Sequence, residues 1–550
     1  MKSVPFEVHA VVAPPRVTRW LHAAMLVVAA VFFAMHFLHL NADFPNNSPW
    51  TDWSKYTDEG WYGDAAIRHY LFGHWYFPGD FNPAVALPMW PLVELIVFRF
   101  TGVSPAAARA LTVCVFGATL VVVYVLVRRF ERMSGVAKSP SLAAPLAVLL
   151  LCASPFFFVF ERMAILEPLL ILLTLLALLV SSRMHAVHFR ALGWREALPS
   201  IGLGLLLPAM VLTKTTAAFL MPAIAYMMWA RAGHRVRATL RMAIIPVILA
   251  AAIWLAYLGL FVRPHYLEDY RYLFSANAYT GIMLEPPAKV ILTTIVDGAW
   301  MGQVLYPVFF GALALTIFWR PQLFRNPLVP ALLLWICGYV AFLAYHNNLQ
   351  PRYYMVVAAP ITVFVAIALE AFRQTEARAA KIAGGLVVTA VVLGILVPDG
   401  MLQAQFVANP EYTFRDAANG VKRVVEADQE HSRLILSISG SDITLFTGLP
   451  SIDDDFGTLD LDERVKAYRP GWYVAWNELD DDKMDALTEV DRVTRVAAFP
   501  AMDDPERNLL ILYRLDPKQE TPKVLKAKKA LPKALQTKLG QQPDATQLQH

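Results

Sequence analysis

Long apolar runs separated by short polar stretches recur from about position 20 to position 398. A helix crossing a bilayer needs roughly 17–25 mostly apolar residues. On that pattern, eleven spans are predicted, near 20–40, 105–127, 141–160, 165–182, 199–213, 216–230, 242–262, 302–319, 328–345, 353–371 and 382–398. The two shortest rest on pairing with their neighbours. Residues 41–104 form a long loop after the first span, and within it 84–100 (AVALPMWPLVELIVFRF) is again apolar. Two prolines, Glu94 and Arg99 make that segment a helix lying at the interface, not a further span. After about 399 the period changes. TFRDAANGVKRVVEA repeats every 3.6 residues, as an amphipathic helix does, while RLILSISG, RPGWYVAW and LLILYRL read as buried strands. Residues 399–516 are therefore expected to form a small α/β domain, and the Lys-, Gln- and Pro-rich tail 517–550 to be disordered.

Arginine fixes the expected orientation. RRFERM (128–133), RMHAVHFRALGWR (183–195), RAGHRVRATLR (231–241), WRPQLFR (319–325) and RQTEARAAK (373–381) fall on one side of the membrane when the N-terminus is cytoplasmic. The first loop, FERMAILEP, LTKTT, RPHYLEDYRY, NNLQPRYY and the C-terminal domain then face outward. Composition agrees with a membrane protein, at 57% hydrophobic and 17% charged residues. Net charge of +4 marks no nucleic-acid surface, and no nucleic-acid partner is expected. Cys114, Cys152 and Cys337 all sit in apolar runs and read as small buried hydrophobes.

The polar stretch KYTDEGWYGDAAIRHYLFG (55–73) is the unusual one. Thr57 is a plausible helix cap, with Asp58 and Glu59 in the first turn. Tyr62 shares a face with Asp58 at i, i+4. Gly60 and Gly63 weaken a helix, and suit close approach of another backbone or a ligand. Other charges fall at the same outer face. Lys214 ends a span in LTKTT, where a cation beside hydrocarbon is costly. Arg162 and Glu167 bracket a turn and could pair with each other. Arg352 opens a span beside Tyr353 and Tyr354, and His265 is a lone histidine in a loop. Together they offer carboxylates for proton transfer and cations for a departing phosphate.

The pattern DEGWY…AA…G…P, the proline-containing helix ending FTG, then AAARALTV, LTK…P and RYYMVVAAP resembles the GT-C superfamily of lipid-linked-sugar glycosyltransferases. Within it, the protein O-mannosyltransferases and lipid A aminoarabinose transferases are the most similar groups. The resemblance spans roughly residues 20–370. It implies a GT-C-like polytopic α-helical membrane protein, with a catalytic transmembrane domain over 1–398 and the external α/β domain behind it. It implies an inverting enzyme moving a sugar from a polyprenyl-phosphate donor to an acceptor hydroxyl of a lipid, glycan or protein. The site would lie on the periplasmic face of a bacterial inner membrane. Asp58 takes the place of the catalytic base, with Glu59 beside it. Lys214 would contact donor phosphate, and Arg352 and Tyr62 would line the donor pocket.

The sequence departs from that family at Val85-Ala86-Leu87-Pro88, where relatives carry a Lys-Pro-Pro run, some with a Glu before it. No cofactor is required by the pattern, although a divalent metal bridging Asp58 and Asp80 is conceivable chemistry. A polymerase or ligase of lipid-linked glycans would share donor and compartment. A lipid or sugar transporter should show paired broken spans in two halves, and no such symmetry is visible.

Overall fold

The computed structural model of the chain describes residues 16–518, apart from 44–53, 78–79, 81–83, 85, 135–140, 185–192, 275–285, 287, 290–291, 293–304, 347–349, 375–377, 438–439, 455–458, 478–480 and 502–507. The expected tail 517–550 therefore lies almost wholly outside the described residues. Each of the eleven predicted spans carries helix. The bundle comprises α1 (Arg16–Met35), α4 (Pro105–Ser134), α5 (Ala143–Ala153), α6 (Pro155–Phe160), α7 (Leu166–Ser181), α8 (Trp194–Thr213), α9 (Met221–Arg231), α10 (Val236–Tyr257), α12 (Leu305–Trp319), α13 (Leu328–Tyr345), α14 (Met355–Arg373) and α15 (Arg378–Ala408). Between α10 and α12 lies the short α11 (Leu267–Phe274). The chain is a multi-pass, mostly helical membrane protein.

Hydropathy all round a helix admits two environments, core and lipid, and the bundle uses both. Helices α5 and α14 are buried almost completely and form its centre. Helices α1 and α10 are as apolar but largely uncovered by protein, as lipid-facing helices are. The predicted span 141–160 is split in two, because Ser154 is extended and Pro155 starts a fresh helix. The last bundle helix, α15, passes unbroken through Pro398 to Ala408.

The first loop folds into α2 (Ser54–Phe72) and α3 (Met89–Thr101). In α3, Trp90, Glu94 and Phe98 repeat every four residues and are buried. Leu92, Ile96 and Phe100 on the other face are exposed, the last by 86%. An apolar outer face on a short helix is what the expected interfacial position requires.

Beyond the bundle, α16 (Thr413–Ala427) is followed by β1 (Ile435–Leu436), α17 (Gly440–Thr447), β2 (Ser451–Ile452), α18 (Leu461–Tyr468), β3 (Trp472–Trp476), α19 (Asp481–Val490), β4 (Asp491–Pro500) and β5 (Leu509–Pro517). The sheet order is β2-β1-β3-β5-β4, with β1 parallel to β2 and β3, and β5 antiparallel to β3 and β4. Strand alternation feeds two cores. Trp472 and Val474 face the side covered by α16, with Leu510 and Leu512. Tyr473 and Ala475 face the other, with Ile511 and Tyr513.

This domain is tied to the first loop by buried charge. Asp80 accepts from Arg68 Nη2 at 2.5 Å and pairs with Arg464 Nη1 of α18 at 3.1 Å. Both of its oxygens are thus occupied, and the expectation of Asp80 as a metal ligand is replaced by a docking role. Asp43, after α1, accepts from Thr413 Oγ1 at 2.7 Å and from the Phe414 N–H at 3.1 Å, capping α16. Removing one partner from a buried ion pair costs about 3–5 kcal/mol. Asp80→Asn should accordingly lower the thermal midpoint of the detergent-purified protein, and let a protease release the C-terminal domain sooner. Unchanged melting and cleavage would contradict the docking role.

Candidate active site

Four ionisable side chains meet on one side of the bundle, three of them from places where a helix begins, ends or breaks. Glu167 lies in the first turn of α7, where the helix dipole favours an acid. Lys214 is the extended residue (φ −156, ψ 129) that stops α8 before the 3-10 turn Thr215–Leu220. Arg352 belongs to the 3-10 turn Pro351–Tyr354 leading into α14. Asp58 stands on the second turn of α2.

Their geometry is a chain of alternating charge. Lys214 Nζ is ion-paired with Glu167 and sits 3.8 Å from the centre of the Tyr353 ring. Arg352 pairs with Asp58 at 2.6 Å and approaches Glu167 at 3.7 Å. Its guanidinium lies over the same Tyr353 ring, 4.8 Å from the centre, and donates to the tyrosine hydroxyl at 3.4 Å. Two carboxylates balance two cations. Tyr62, one turn beyond Asp58, is buried beside them. Burial, and then the Asp58 charge, hold its hydroxyl well above the ordinary tyrosine range.

Not every expected residue joins this cluster. Glu59 faces away, because successive helical residues point about 100° apart. Arg109 of α4 grips both of its oxygens at 2.6–3.1 Å, and the Ala164 N–H adds a bond at 3.0 Å. Arg109 also donates to the carbonyls of Leu40 and Ala42. The side chain of Glu59 is 3% exposed against 14% for Asp58, so Asp58 is the more accessible of the two. The structure thus places Glu59, expected beside Asp58 in the catalytic pair, in a buried clamp with Arg109. Arg162 is turned aside as well. Its Nη2 donates to the carbonyls of Leu38 and His39 at 2.5 and 3.0 Å, and its guanidinium covers the Phe158 ring. Glu167 pairs with Lys214 and Arg352, not with Arg162. His265 is exposed at the end of a short turn, its ring 5.9 Å from Tyr266, and enters none of these ion pairs.

The glycines of α2 find their reasons here. A Cβ on Gly60 would fall 2.2 Å from the Asp442 backbone nitrogen, and one on Gly63 would fall 2.6 Å from Glu94 Oε2. One site the sequence did not single out is His346, just past α13. Its ring stacks on Phe342 and lies 5.8 Å from Tyr353. Burial, then Lys214 and Arg352, push its imidazole down to about 4. Its position at the end of an apolar run, among polar residues, was the available signal.

The residues present do not fit a bridging metal. Asp58 faces a guanidinium and Asp80 two. Among the described residues no group of three or more His, Cys, Asp or Glu converges as a metal site requires.

No family model and no curated relative matches the chain. Solved structures do. ArnT from Cupriavidus metallidurans bound to undecaprenyl phosphate aligns with a TM-score of 0.61 and 14% identity, over 90% of this chain and 98% of that one. Its apo state gives 0.58 over the same shares. AglB, the archaeal oligosaccharyltransferase from Archaeoglobus fulgidus in complex with an inhibitory peptide and a dolichol-phosphate, aligns at 0.50 and 14% identity. That alignment covers 92% of this chain and 75% of that one. The chain has the GT-C fold. At such identities the likeness is one of architecture, and within the GT-C fold it covers the membrane bundle and the C-terminal domain together.

Two outcomes follow from the geometry. Glu59→Gln should destabilise the protein by about 3–5 kcal/mol, since Arg109 loses its buried counter-charge. Activity per folded molecule should stay near wild type, and a turnover loss with unchanged melting would restore Glu59 to the chemistry. His346 is uncharged above about pH 5 because its folded pKa is depressed, so its protonation is confined to more acidic solutions. His346→Gln should therefore leave the pH dependence of thermal stability unaltered from about pH 6 to 8. A titration step lost in that window would show a charged His346.

Proposed function

We propose that the protein is an inverting glycosyltransferase that moves a sugar from a polyprenyl-phosphate donor to an acceptor hydroxyl at the external membrane face. The observation that carries this reading is the Asp58–Arg352 ion pair beside Lys214, on a GT-C fold. A carboxylate accessible to substrate stands next to two cations anchored at span ends. That juxtaposition suits a hydroxyl that must lose a proton while a phosphate departs. ArnT has been captured with undecaprenyl phosphate and AglB with a dolichol-phosphate, which favours the same class of lipid carrier.

In this reading Asp58 accepts the proton of the acceptor hydroxyl as its oxygen bonds to the anomeric carbon. The bond from that carbon to the phosphate oxygen breaks, and the electron pair leaves with the lipid phosphate. Lys214 and Arg352 receive the added negative charge in a site shielded from water, where such contacts act most strongly. Tyr353 spreads under both cations and keeps them adjacent. Tyr62 contributes a neutral wall to the sugar subsite. The five arginine-rich loops support a cytoplasmic N-terminus, and with it a periplasmic C-terminal domain in a bacterial inner membrane.

A general base contributes about 10²–10⁴ in rate. With a synthetic undecaprenyl-phosphate sugar as donor, Asp58→Asn should lower turnover by that order while the protein remains folded and binds undecaprenyl phosphate. Lys214→Ala should weaken undecaprenyl-phosphate binding, and Lys214→Arg should retain part of it. Wild-type turnover in Asp58→Asn would refute the role of base, and wild-type binding in Lys214→Ala would reduce that lysine to an anchor.

A further inference from the structure

The transfer chemistry leaves the C-terminal domain without a task. Its helix α17 nevertheless touches α2 two residues from Asp58. The Gly60 N–H donates to Asp442 Oδ1 at 2.6 Å, and the missing side chain at Gly60 lets the two backbones meet. One turn on, Ser441 Oγ donates to Asp64 Oδ1 at 2.7 Å. One turn further, Arg68 binds Asp64 and Asp80, and Asp80 binds Arg464 of the same domain. Gly60, Asp64 and Arg68 are four residues apart and form one stripe along α2. The stripe belongs to the C-terminal domain. Asp58 and Tyr62 lie on a row nearly opposite, two residues or about 200° around the helix, and Glu59, clamped by Arg109, lies between the two rows.

We infer that Ser441 and Asp442 are positioning residues for Asp58: the C-terminal domain sets the rotation of α2 and so completes the active site. The inference rests on the reading of Asp58 as the base. Geometry gives it scale. Side chains reach about 5–6 Å from a helix axis, so a rotation of roughly 20° moves a carboxylate by about 2 Å. That displacement is comparable to the whole 2.6 Å separation of Asp58 from Arg352. The Glu59–Arg109 clamp holds α2 along one line only and leaves a pivot. Contacts on the Gly60–Arg68 stripe, from a second direction, remove it. Misplacement of a reacting group by 1 Å can cost about 10² in rate.

The test uses the full-length protein in detergent, with Asp442→Ala, which removes the acceptor of the Gly60 N–H, and Ser441→Ala as the probing substitutions. His431→Ala is the control. His431 bridges Asp428 and Asp516 at 2.9 Å each within the same domain, remote from this stripe. Amide hydrogen exchange over residues 58–63 should quicken at least tenfold in both probing variants and stay unchanged in His431→Ala. Turnover of a synthetic undecaprenyl-phosphate sugar should fall by roughly 10² in Asp442→Ala, with undecaprenyl-phosphate affinity within threefold of wild type. Asp442→Ala added to Asp58→Asn should slow turnover no further, because the first acts through the second. Unchanged exchange in both probing variants overturns the inference, as do independent, additive losses in the double variant. Faster exchange with full turnover would leave α17 a structural prop only. A wild-type protein that turns over no such donor would remove the transferase reading itself, while exchange at 58–63 would still decide whether the domain fixes the helix.

Discussion

Charge inside a protein has to be met by charge from another element, and α2 carries more of it than any one neighbour can meet. Its acids and Arg68 project in several directions around a single axis. Each direction recruits a different partner: α4 through Arg109, the C-terminal domain through Ser441 and Asp442 and, by way of Asp80, through Arg464, and the bundle through Arg352. An unpaired buried ion is penalised by several kcal/mol, so none of these contacts is optional once α2 is enclosed. The bundle, the first loop and the C-terminal domain are held in one arrangement because the same helix is neutralised by all three.

The architecture was legible in the sequence where the physical signal was periodic. Apolar runs of spanning length marked the bundle, and the expected helix TFRDAANGVKRVVEA became α16 with the same ends. WYVAW and LLILYRL became β3 and the body of β5, since alternation along a strand is visible in one dimension. The helical break at Ser154 and Pro155 was missed, as an apolar run does not reveal a change of axis.

The site was legible in part. Asp58 was selected as an acid of the polar first loop and Lys214, Arg352 and Glu167 as charges at span ends, and the structure brings all four together. Glu59 could not be separated from Asp58 by proximity in sequence, because what distinguishes them is which neighbour each faces. The pairing of Glu167 with Lys214 and not with Arg162 depends on how two distant turns meet, which sequence spacing does not encode. Gly60 and Gly63 were flagged as places of close approach. Only the fold could say that Ser441 and Asp442 supply one partner and Glu94 the other.

The balance of Asp58, Glu167, Lys214 and Arg352 bears on how a ligand would arrive. Two opposed pairs make a quadrupole, and the field of such a group dies away within a few ångströms where that of a lone cation would persist for about a Debye length, roughly 8 Å in physiological salt. The site therefore casts no long-range attraction toward dissolved anions. Nucleotides, free phosphate and other soluble competitors are not drawn in. Discrimination falls instead to molecules already held in the bilayer beside the site, which reach the cations by lateral diffusion and meet their charge only at contact.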